Sequence, residues 1–166
     1  MHKIRQQLSM YVPEGVAQAI EDVRKIVDPI QHRLIPAHIT LCREDELQDN
    51  STLHDRLCRI PCKPFTLRFG GPEIFSDHGL LLNCIEGADD FRVLREYLLD
   101  SKTIRNQAPH ITLAHPRNPK SAANSLGATA ALPDVITINF SMIYLVQQEA
   151  GEPWRVVTRY ELMGRD

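Results

Sequence analysis

The sequence His38-Ile39-Thr40-Leu41 occurs a second time, as His110-Ile111-Thr112-Leu113. From the chain's own frequencies of these four residues, roughly 0.003 further copies are expected by chance, so the repeat indicates two related segments of structure. The repeat therefore predicts that the chain folds as two similar halves.

Each copy of this motif is expected to form a β-strand, in which side chains two residues apart lie on the same face. His38 and Thr40 then point to one side, and the two apolar residues point to the other. The same reasoning places His110 and Thr112 together. If a pseudo-two-fold axis relates the halves, two imidazoles and two hydroxyls meet at one site.

The segments around the two copies show strand and helix periodicity in a similar order. The first half predicts a strand at 4–12, a helix at 16–27, the motif strand, a helix at 46–59 and a strand at 65–69 that ends at Gly70-Gly71. The second half predicts a short strand at 73–75, a strand at 79–85, a helix at 88–99, the motif strand, a helix at 120–131 and a hairpin of 135–147 with 154–162. We therefore expect a bilobal, duplicated α+β fold, with two mainly antiparallel sheets and flanking helices around a central cleft. Residues 1–166 would form one domain made of two pseudo-symmetric lobes.

The composition is that of an ordinary globular domain. The chain has 166 residues, of which 43% are hydrophobic and 24% are charged, and its formal net charge is −2. A charge this close to zero argues against a broad polyanion-binding surface, so any nucleic-acid partner would be short or held locally. No stretch approaches the roughly 18 apolar residues of a membrane span, and the N-terminus has no apolar signal region. These features predict a cytoplasmic protein without a membrane partner, and we expect a monomer.

The four cysteines, Cys42, Cys58, Cys62 and Cys84, contain no CxxC pair. A chain without an export signal normally keeps its thiols reduced. We interpret all four as small, buried apolar residues and not as a disulfide framework or a zinc site.

The predicted cluster of two His and two Thr suits the hydrolysis of a phosphodiester. This reaction needs a base that deprotonates water, an acid that protonates the leaving alkoxide, and donors for the non-bridging oxygens. Imidazole has a reference pKa of about 6.5 and can act as acid or base at neutral pH. Such a site requires no metal or other cofactor.

Two other chemistries have weaker support in the residues. A zinc site is disfavoured because the sequence contains no HExxH and neither motif has an adjacent carboxylate at ligand spacing. Cys42, just beyond the first motif, could act as a nucleophile beside a His. The corresponding residue in the second copy is Ala114, so the repeat does not support this role, and a buried thiol is the favoured interpretation.

The paired motifs resemble the signature of the 2H phosphoesterase superfamily, which includes the 2'-5' RNA ligase-like proteins and cyclic phosphodiesterases. The resemblance extends over nearly the whole chain and implies a bilobal fold that hydrolyses cyclic phosphodiesters without a metal, often 2',3'-cyclic phosphates of nucleotides or RNA ends. It implies that His38 and His110 are the acid–base pair and that Thr40 and Thr112 bind the phosphate. The chain departs from the pattern at His115, where relatives often have Arg, and near Gln7, where they have an aromatic residue.

Four further residues are candidates for substrate binding. Arg43 could supply a positive charge at the rim of the cleft, and His115 follows the second motif. Phe75 and Trp154 are candidate platforms for a nucleobase. Four basic residues are interpreted first as solvated charge, with an RNA-guiding role as the alternative: Lys102, Arg105, Arg117 and Lys120.

The sequence thus predicts a metal-independent phosphodiesterase that opens a cyclic phosphodiester, in particular the 2',3'-cyclic phosphate of a nucleotide or RNA terminus. Two alternatives remain open. The same site could act on a 2'-5' linkage as a phosphodiesterase or as an RNA ligase, or the chain could be a non-catalytic module that binds RNA ends.

Overall fold

The computed structural model describes residues 2–47, 51–117 and 126–164 of the protein. The strands are β1 (Ile4–Tyr11), β2 (His38–Cys42), β3 (Phe65–Phe75), β4 (Gly79–Glu86), β5 (His110–Ala114), β6 (Ile136–Phe140), β7 (Met142–Glu149) and β8 (Arg155–Glu161). The α-helices are α1 (Glu14–Val27), α2 (Pro29–Leu34), α3 (Leu53–Leu57) and α4 (Ala88–Leu98). Short 3-10 helices form at Glu44–Glu46 and Leu126–Thr129.

The strands form two four-stranded antiparallel sheets, which define two lobes. The order is β2-β1-β7-β8 in the first lobe and β5-β4-β3-β6 in the second. Each sheet starts with a motif strand, and next to it lies the strand that precedes that motif along the chain. Cα atoms of β2 and β5 approach within 8 Å of one another, so the motif strands meet where the lobes join. The predicted α+β fold with two antiparallel sheets is confirmed.

The assignment of strands to lobes differs from the sequence prediction. β3 follows the first motif but pairs in the second sheet, and the C-terminal strands β7 and β8 complete the first sheet. Hydrophobic periodicity identifies strands, but long-range packing decides which strands pair. The halves of the fold are therefore not the halves of the chain.

Two predicted strand boundaries are also wrong. The segment 135–147 is not one strand, because Ser141 separates β6 in the second sheet from β7 in the first. The buried apolar positions change phase there, from Ile136, Ile138 and Phe140 to Ile143. In contrast, the expected break at Gly70-Gly71 is absent, since β3 continues through both glycines with an irregular register opposite β4.

The long helices pack on the sheets through apolar stripes. α1 buries Ile20, Val23 and Val27, and α4 buries Phe91, Leu94 and Leu98 in the shared core. The predicted helix at 46–59 is wrong in extent, because among the described residues of that range Leu53–Leu57 alone is α-helical. The predicted helix at 120–131 falls partly outside the described residues, and Leu126–Thr129 is a 3-10 helix. No helix of the described ranges is long and apolar enough to cross a membrane.

The four cysteines are free thiols in different surroundings. Cys42 is buried as predicted, whereas Cys58 is exposed, and Cys62 and Cys84 are partly exposed. The expectation that all four are buried is therefore wrong. Cys58 ends the short helix α3, and its side chain lies on the surface beside His54, with the Sγ atom 3.6 Å from Nε2.

Candidate active site

The same β-bulge interrupts both motif strands. In the first lobe Thr40 pairs with Ser9 and Cys42 with Leu8, so two steps along β2 match one step along β1. In the second lobe Thr112 pairs with Leu81 and Ala114 with Leu80. A bulge of this kind redirects the side chains that follow it, and bulges are frequent next to active sites.

The bulge separates the polar face of each motif from the core. His38 and Thr40 are half-buried, while the next residues on the same strand, Leu41 and Cys42, are both buried. The burial pattern of β5 is identical. Strict alternation would have placed Cys42 beside Thr40, and the extra residue turns it into the core instead. The polar face of each motif strand thus carries one imidazole and one hydroxyl.

One cavity of about 740 Å³ lies between the lobes and contains both motifs. All eight sequence-predicted site residues line it: His38, Thr40, Arg43, Phe75, His110, Thr112, His115 and Trp154. Among the described residues around it, six are basic (Lys3, Arg5, Arg24, Arg43, Arg105 and Arg117) and two are acidic (Glu44 and Asp45). The positive charge that the whole chain lacks is therefore concentrated in the cavity, which favours an anionic ligand.

The two motif histidines are oriented by equivalent hydrogen bonds. His38 Nδ1 lies 2.8 Å from the backbone oxygen of Pro36, and His110 Nδ1 lies 3.1 Å from that of Ala108. A carbonyl oxygen only accepts, so Nδ1 is the donor in both rings. In each imidazole Nε2 is then the nitrogen left for a ligand in the cavity.

A buried ion pair lies behind the first motif. Arg24 has a side-chain exposure of 1%, and its Nη1 donates to Glu21 Oε1 at 2.7 Å. Glu21 Oε1 also accepts from the backbone N–H of Ala37, the residue before His38. Arg24 Nη2 donates to the carbonyl of Ile35 at 2.8 Å. The pair therefore holds the segment that leads into the first motif.

His38 is neutral at physiological pH. Desolvation by the surrounding residues is the main cause that lowers the pKa of His38 to about 4. The carbonyl of Pro36 and the carboxylate of Glu21 raise this pKa, whereas the electrostatic effects of Arg24 and His110 lower it further. A neutral ring with Nδ1–H has a lone pair on Nε2, which is the state that a base requires.

His115 is held by Asp28, the residue between α1 and α2. Its backbone N–H donates to Asp28 Oδ2 at 2.9 Å, and its Nδ1 accepts from the backbone N–H of Arg117 at 3.2 Å. Burial and then Arg117 lower the pKa of His115, against the attraction of Asp28. A neutral ring whose Nδ1 accepts carries its proton on Nε2. His115 therefore presents a neutral donor where an arginine would present a charge.

The two candidate aromatic platforms lie on different lobes. Phe75 ends β3, and its ring packs against Gly79 so closely that a Cβ at position 79 would overlap it. Trp154 precedes β8, and its backbone N–H donates to the carbonyl of Leu34 at 2.8 Å. The guanidinium carbon of Arg5 lies 5.3 Å from the centre of the Trp154 ring. One face of Trp154 is thus already covered by a cation, whereas Phe75 has no such cover among the described contacts.

The sequence left two alternative chemistries, a Cys42 nucleophile and a zinc site. Cys42 is fully buried, and burial raises its pKa to about 12, which favours the interpretation as a protonated core thiol over a nucleophile. Among the residues that the structure describes, no three His, Cys, Asp or Glu side chains are grouped as a metal site.

Several cavity residues were missed by the sequence reasoning. Arg5 and Gln7 precede Ser9 on β1 with the two-residue spacing of one strand face, and this period could have identified them. Arg24 lies four residues after Ile20, on the buried face of α1, so the helical period could have identified it as a core-facing charge. Gln107 comes from the irregular segment before β5, for which no periodicity exists. Arg105 lies in the same segment and lines the cavity, and the sequence had marked it only as a basic residue with an RNA-guiding role as the alternative.

The fold and the paired motifs define a two-lobed protein of the 2H phosphoesterase class. A model of the 2'-5' RNA ligase superfamily matches residues 12–152. The chain therefore belongs to the 2'-5' RNA ligase superfamily.

Solved structures support the fold. The crystal structure of E. coli LigT complexed with phosphate has a TM-score of 0.63 and 17% identity, over 96% of this chain and 97% of that chain. LigT complexed with 3'-AMP gives a TM-score of 0.64 and 16% identity, over 96% and 98%. The protein TT0787 of Thermus thermophilus gives a TM-score of 0.60 and 18% identity, over 98% and 100%. Comparison with curated proteins gives no significant match.

Proposed function

We propose that the protein hydrolyses a cyclic phosphodiester, the 2',3'-cyclic phosphate of a nucleotide or RNA terminus, by acid–base catalysis between His38 and His110. The observation that carries the proposal is the matched pair of Nδ1-to-carbonyl hydrogen bonds, which leaves Nε2 of both imidazoles for a ligand in one cavity. A base and an acid on opposite sides of a phosphorus atom are what in-line displacement needs.

The proposed reaction transfers two protons. Nε2 of neutral His38 takes a proton from water, whose oxygen attacks the phosphorus. The bond from phosphorus to one ribose oxygen breaks, and the protonated Nε2 of His110 donates a proton to that oxygen. The product is a nucleoside monophosphate. The low pKa of His38 supports its assignment as the base, because the free protein then holds it without a proton.

Thr40 and Thr112 are proposed to donate to the non-bridging phosphate oxygens. Both are half-buried on the strands that carry the histidines and line the same cavity. Donors placed where negative charge develops stabilise the transition state. The surrounding excess of basic side chains supports an anionic substrate, and so do the crystal structures of E. coli LigT, a protein of similar fold, complexed with phosphate and with 3'-AMP.

The proposal is tested with adenosine 2',3'-cyclic phosphate as substrate. His38→Ala and His110→Ala should each lower kcat/KM by about 100-fold or more, the usual contribution of a general acid or base. His2→Ala is the matched control, since His2 is exposed outside the cavity. Activity in excess EDTA should be retained. Full activity of either cavity variant contradicts the mechanism, and loss in EDTA with rescue by zinc supports the metal alternative.

Action on a 2'-5' linkage is the second candidate, favoured by the family match. Cleavage of a 2'-5' linkage into a 2',3'-cyclic phosphate and a 5'-hydroxyl is the reverse of ligation and shares its transition state, so the same cavity could catalyse either direction. Parallel assays with 2'-5'-linked and 3'-5'-linked diadenosine monophosphates separate this candidate from the first. Tight binding of a cyclic phosphate without turnover of any of these substrates supports the non-catalytic module.

A further inference from the structure

Three charged side chains form a cluster at the rim of the cavity. Arg43 follows β2 of the first lobe, Asp45 lies in the 3-10 helix after it, and Arg105 comes from the segment before β5 of the second lobe. Asp45 Oδ2 lies 2.7 Å from Arg105 Nη2, and Asp45 Oδ1 lies 3.8 Å from Arg43 Nε. All three line the cavity that contains the motif residues. One carboxylate is thus placed between two guanidinium groups from opposite lobes.

The two acidic residues next to Asp45, Glu44 and Glu46, form ion pairs with other arginines. Glu44 Oε2 accepts from Arg5 Nε at 2.8 Å, and Glu46 forms an ion pair of 2.7 Å with buried Arg95. Glu46 adds only a weaker attraction to Arg105. The cluster of Arg43, Asp45 and Arg105 therefore has two positive charges and one negative charge. The net positive charge of the cluster favours the binding of an anion.

The cluster contributes little to folding. The side-chain exposures of Arg43, Asp45 and Arg105 are 58%, 54% and 43%. Ion pairs this exposed are weak because water and salt screen them. An anion with more charge and more acceptor oxygens than a carboxylate can therefore displace Asp45 from the guanidinium groups. Phosphate matches a pair of guanidinium forks particularly well.

We propose that Arg43 and Arg105 form a subsite for a second phosphate of the substrate, which Asp45 occupies until the substrate binds. This inference rests on the proposed function, in which the motif residues hold the cyclic phosphate. The second phosphate is the 5'-phosphate of a nucleotide or the next phosphodiester of an RNA end. Asp45 is then a specificity-determining residue, because it competes with that group and disfavours other anions.

The test compares kcat/KM for adenosine 2',3'-cyclic phosphate with kcat/KM for the same compound carrying a 5'-phosphate. The wild-type protein should prefer the 5'-phosphorylated substrate, and the preference should fall with added NaCl. Arg105→Gln should lower the ratio by about tenfold, the loss of one charge-assisted hydrogen bond. Asp45→Asn should raise the ratio, because it removes the competing carboxylate.

Two variants control for general electrostatics and for loss of a surface ion pair. Glu44→Gln removes the same negative charge from the same turn. Glu44 pairs with Arg5, whereas Asp45 pairs with both proposed phosphate ligands, so Glu44→Gln should change the ratio less than Asp45→Asn does. Arg68→Gln removes an exposed arginine paired with Glu86 outside the cavity and should leave the ratio unchanged. Equal ratios in wild type, Arg105→Gln and Asp45→Asn overturn the inference.

The subsite can be tested separately from the proposed hydrolase activity by measuring nucleotide binding. If neither substrate is hydrolysed, calorimetry compares the binding of adenosine 3',5'-bisphosphate and adenosine 3'-monophosphate. Tighter binding of the bisphosphate that is lost in Arg105→Gln supports the subsite in a non-catalytic protein. Equal affinities of the two nucleotides for the wild-type protein overturn it.

Discussion

The side-chain amide of Gln107 donates a hydrogen bond of 2.9 Å to the backbone carbonyl of Thr40. Gln107 lies three residues before the motif of the second lobe, and Thr40 lies within the motif of the first. The carboxylate of Asp28, between α1 and α2, accepts a similar bond from the backbone N–H of His115. The segment before the second motif therefore supports the first motif, and the end of α1 supports the residue that follows the second motif strand.

The pH dependence of catalysis should reflect the low pKa of His38. His38 is neutral above this value, so the proposed base is lost only as the pH falls below the ordinary histidine range and approaches about 4. We expect kcat/KM, which reports groups of the free protein, to stay high as the pH is lowered through about 6.5, the reference pKa of histidine. NMR titration of His38 in wild type and in His110→Ala checks the cause, since removal of His110 should raise the pKa. An acid limb centred at the ordinary histidine pKa contradicts His38 as the base.

The stability of the fold should fall on acidification for the same reason. In the unfolded chain His38 takes up a proton near its ordinary pKa, about 6.5, whereas in the folded protein it does so only near 4. Between these values the unfolded state binds more protons, so the free energy of unfolding decreases as the pH falls. Urea titrations across this range should show a shallower decrease for His38→Gln than for wild type. An identical slope in both proteins means that His38 does not carry this dependence.

Removal of Glu21 should strongly destabilise the protein. Glu21→Gln leaves the buried guanidinium of Arg24 without a counter-charge, and such a loss costs about 3–5 kcal/mol. The measurement is the free energy of unfolding from urea denaturation. Glu86→Gln is the matched control, because its ion pair with Arg68 is exposed and should contribute less than about 1 kcal/mol. Equal effects of the two substitutions would show that the Glu21–Arg24 pair has no special role.

Phe75 and Gly79 should act together on substrate affinity. Phe75→Ala should raise KM for adenosine 2',3'-cyclic phosphate by about tenfold, since loss of one stacked base costs about 1–3 kcal/mol. Gly79→Ala should raise KM while keeping the ring, because the new Cβ overlaps Phe75 and displaces it. Gly71→Ala, on the strand that carries Phe75 and with open space around it, is the control. An unchanged KM in both Phe75→Ala and Gly79→Ala excludes Phe75 as the platform.

The sequence alone determined much of the candidate site. The repeat identified the motif strands, because a two-residue period reports directly which side chains share a face. It also predicted the two antiparallel sheets, and the eight candidate residues line one cavity.

Only the tertiary structure decided how these parts are combined. Periodicity cannot show that β3 leaves the first half of the chain to join the second sheet, because strand pairing depends on contacts far apart in sequence. Nor can it show the bulge that turns Cys42 into the core, since one extra residue changes the face of everything after it. The tertiary structure also decides what Arg24 and Asp45 contact, because the effect of a charge depends on its burial and on its neighbours.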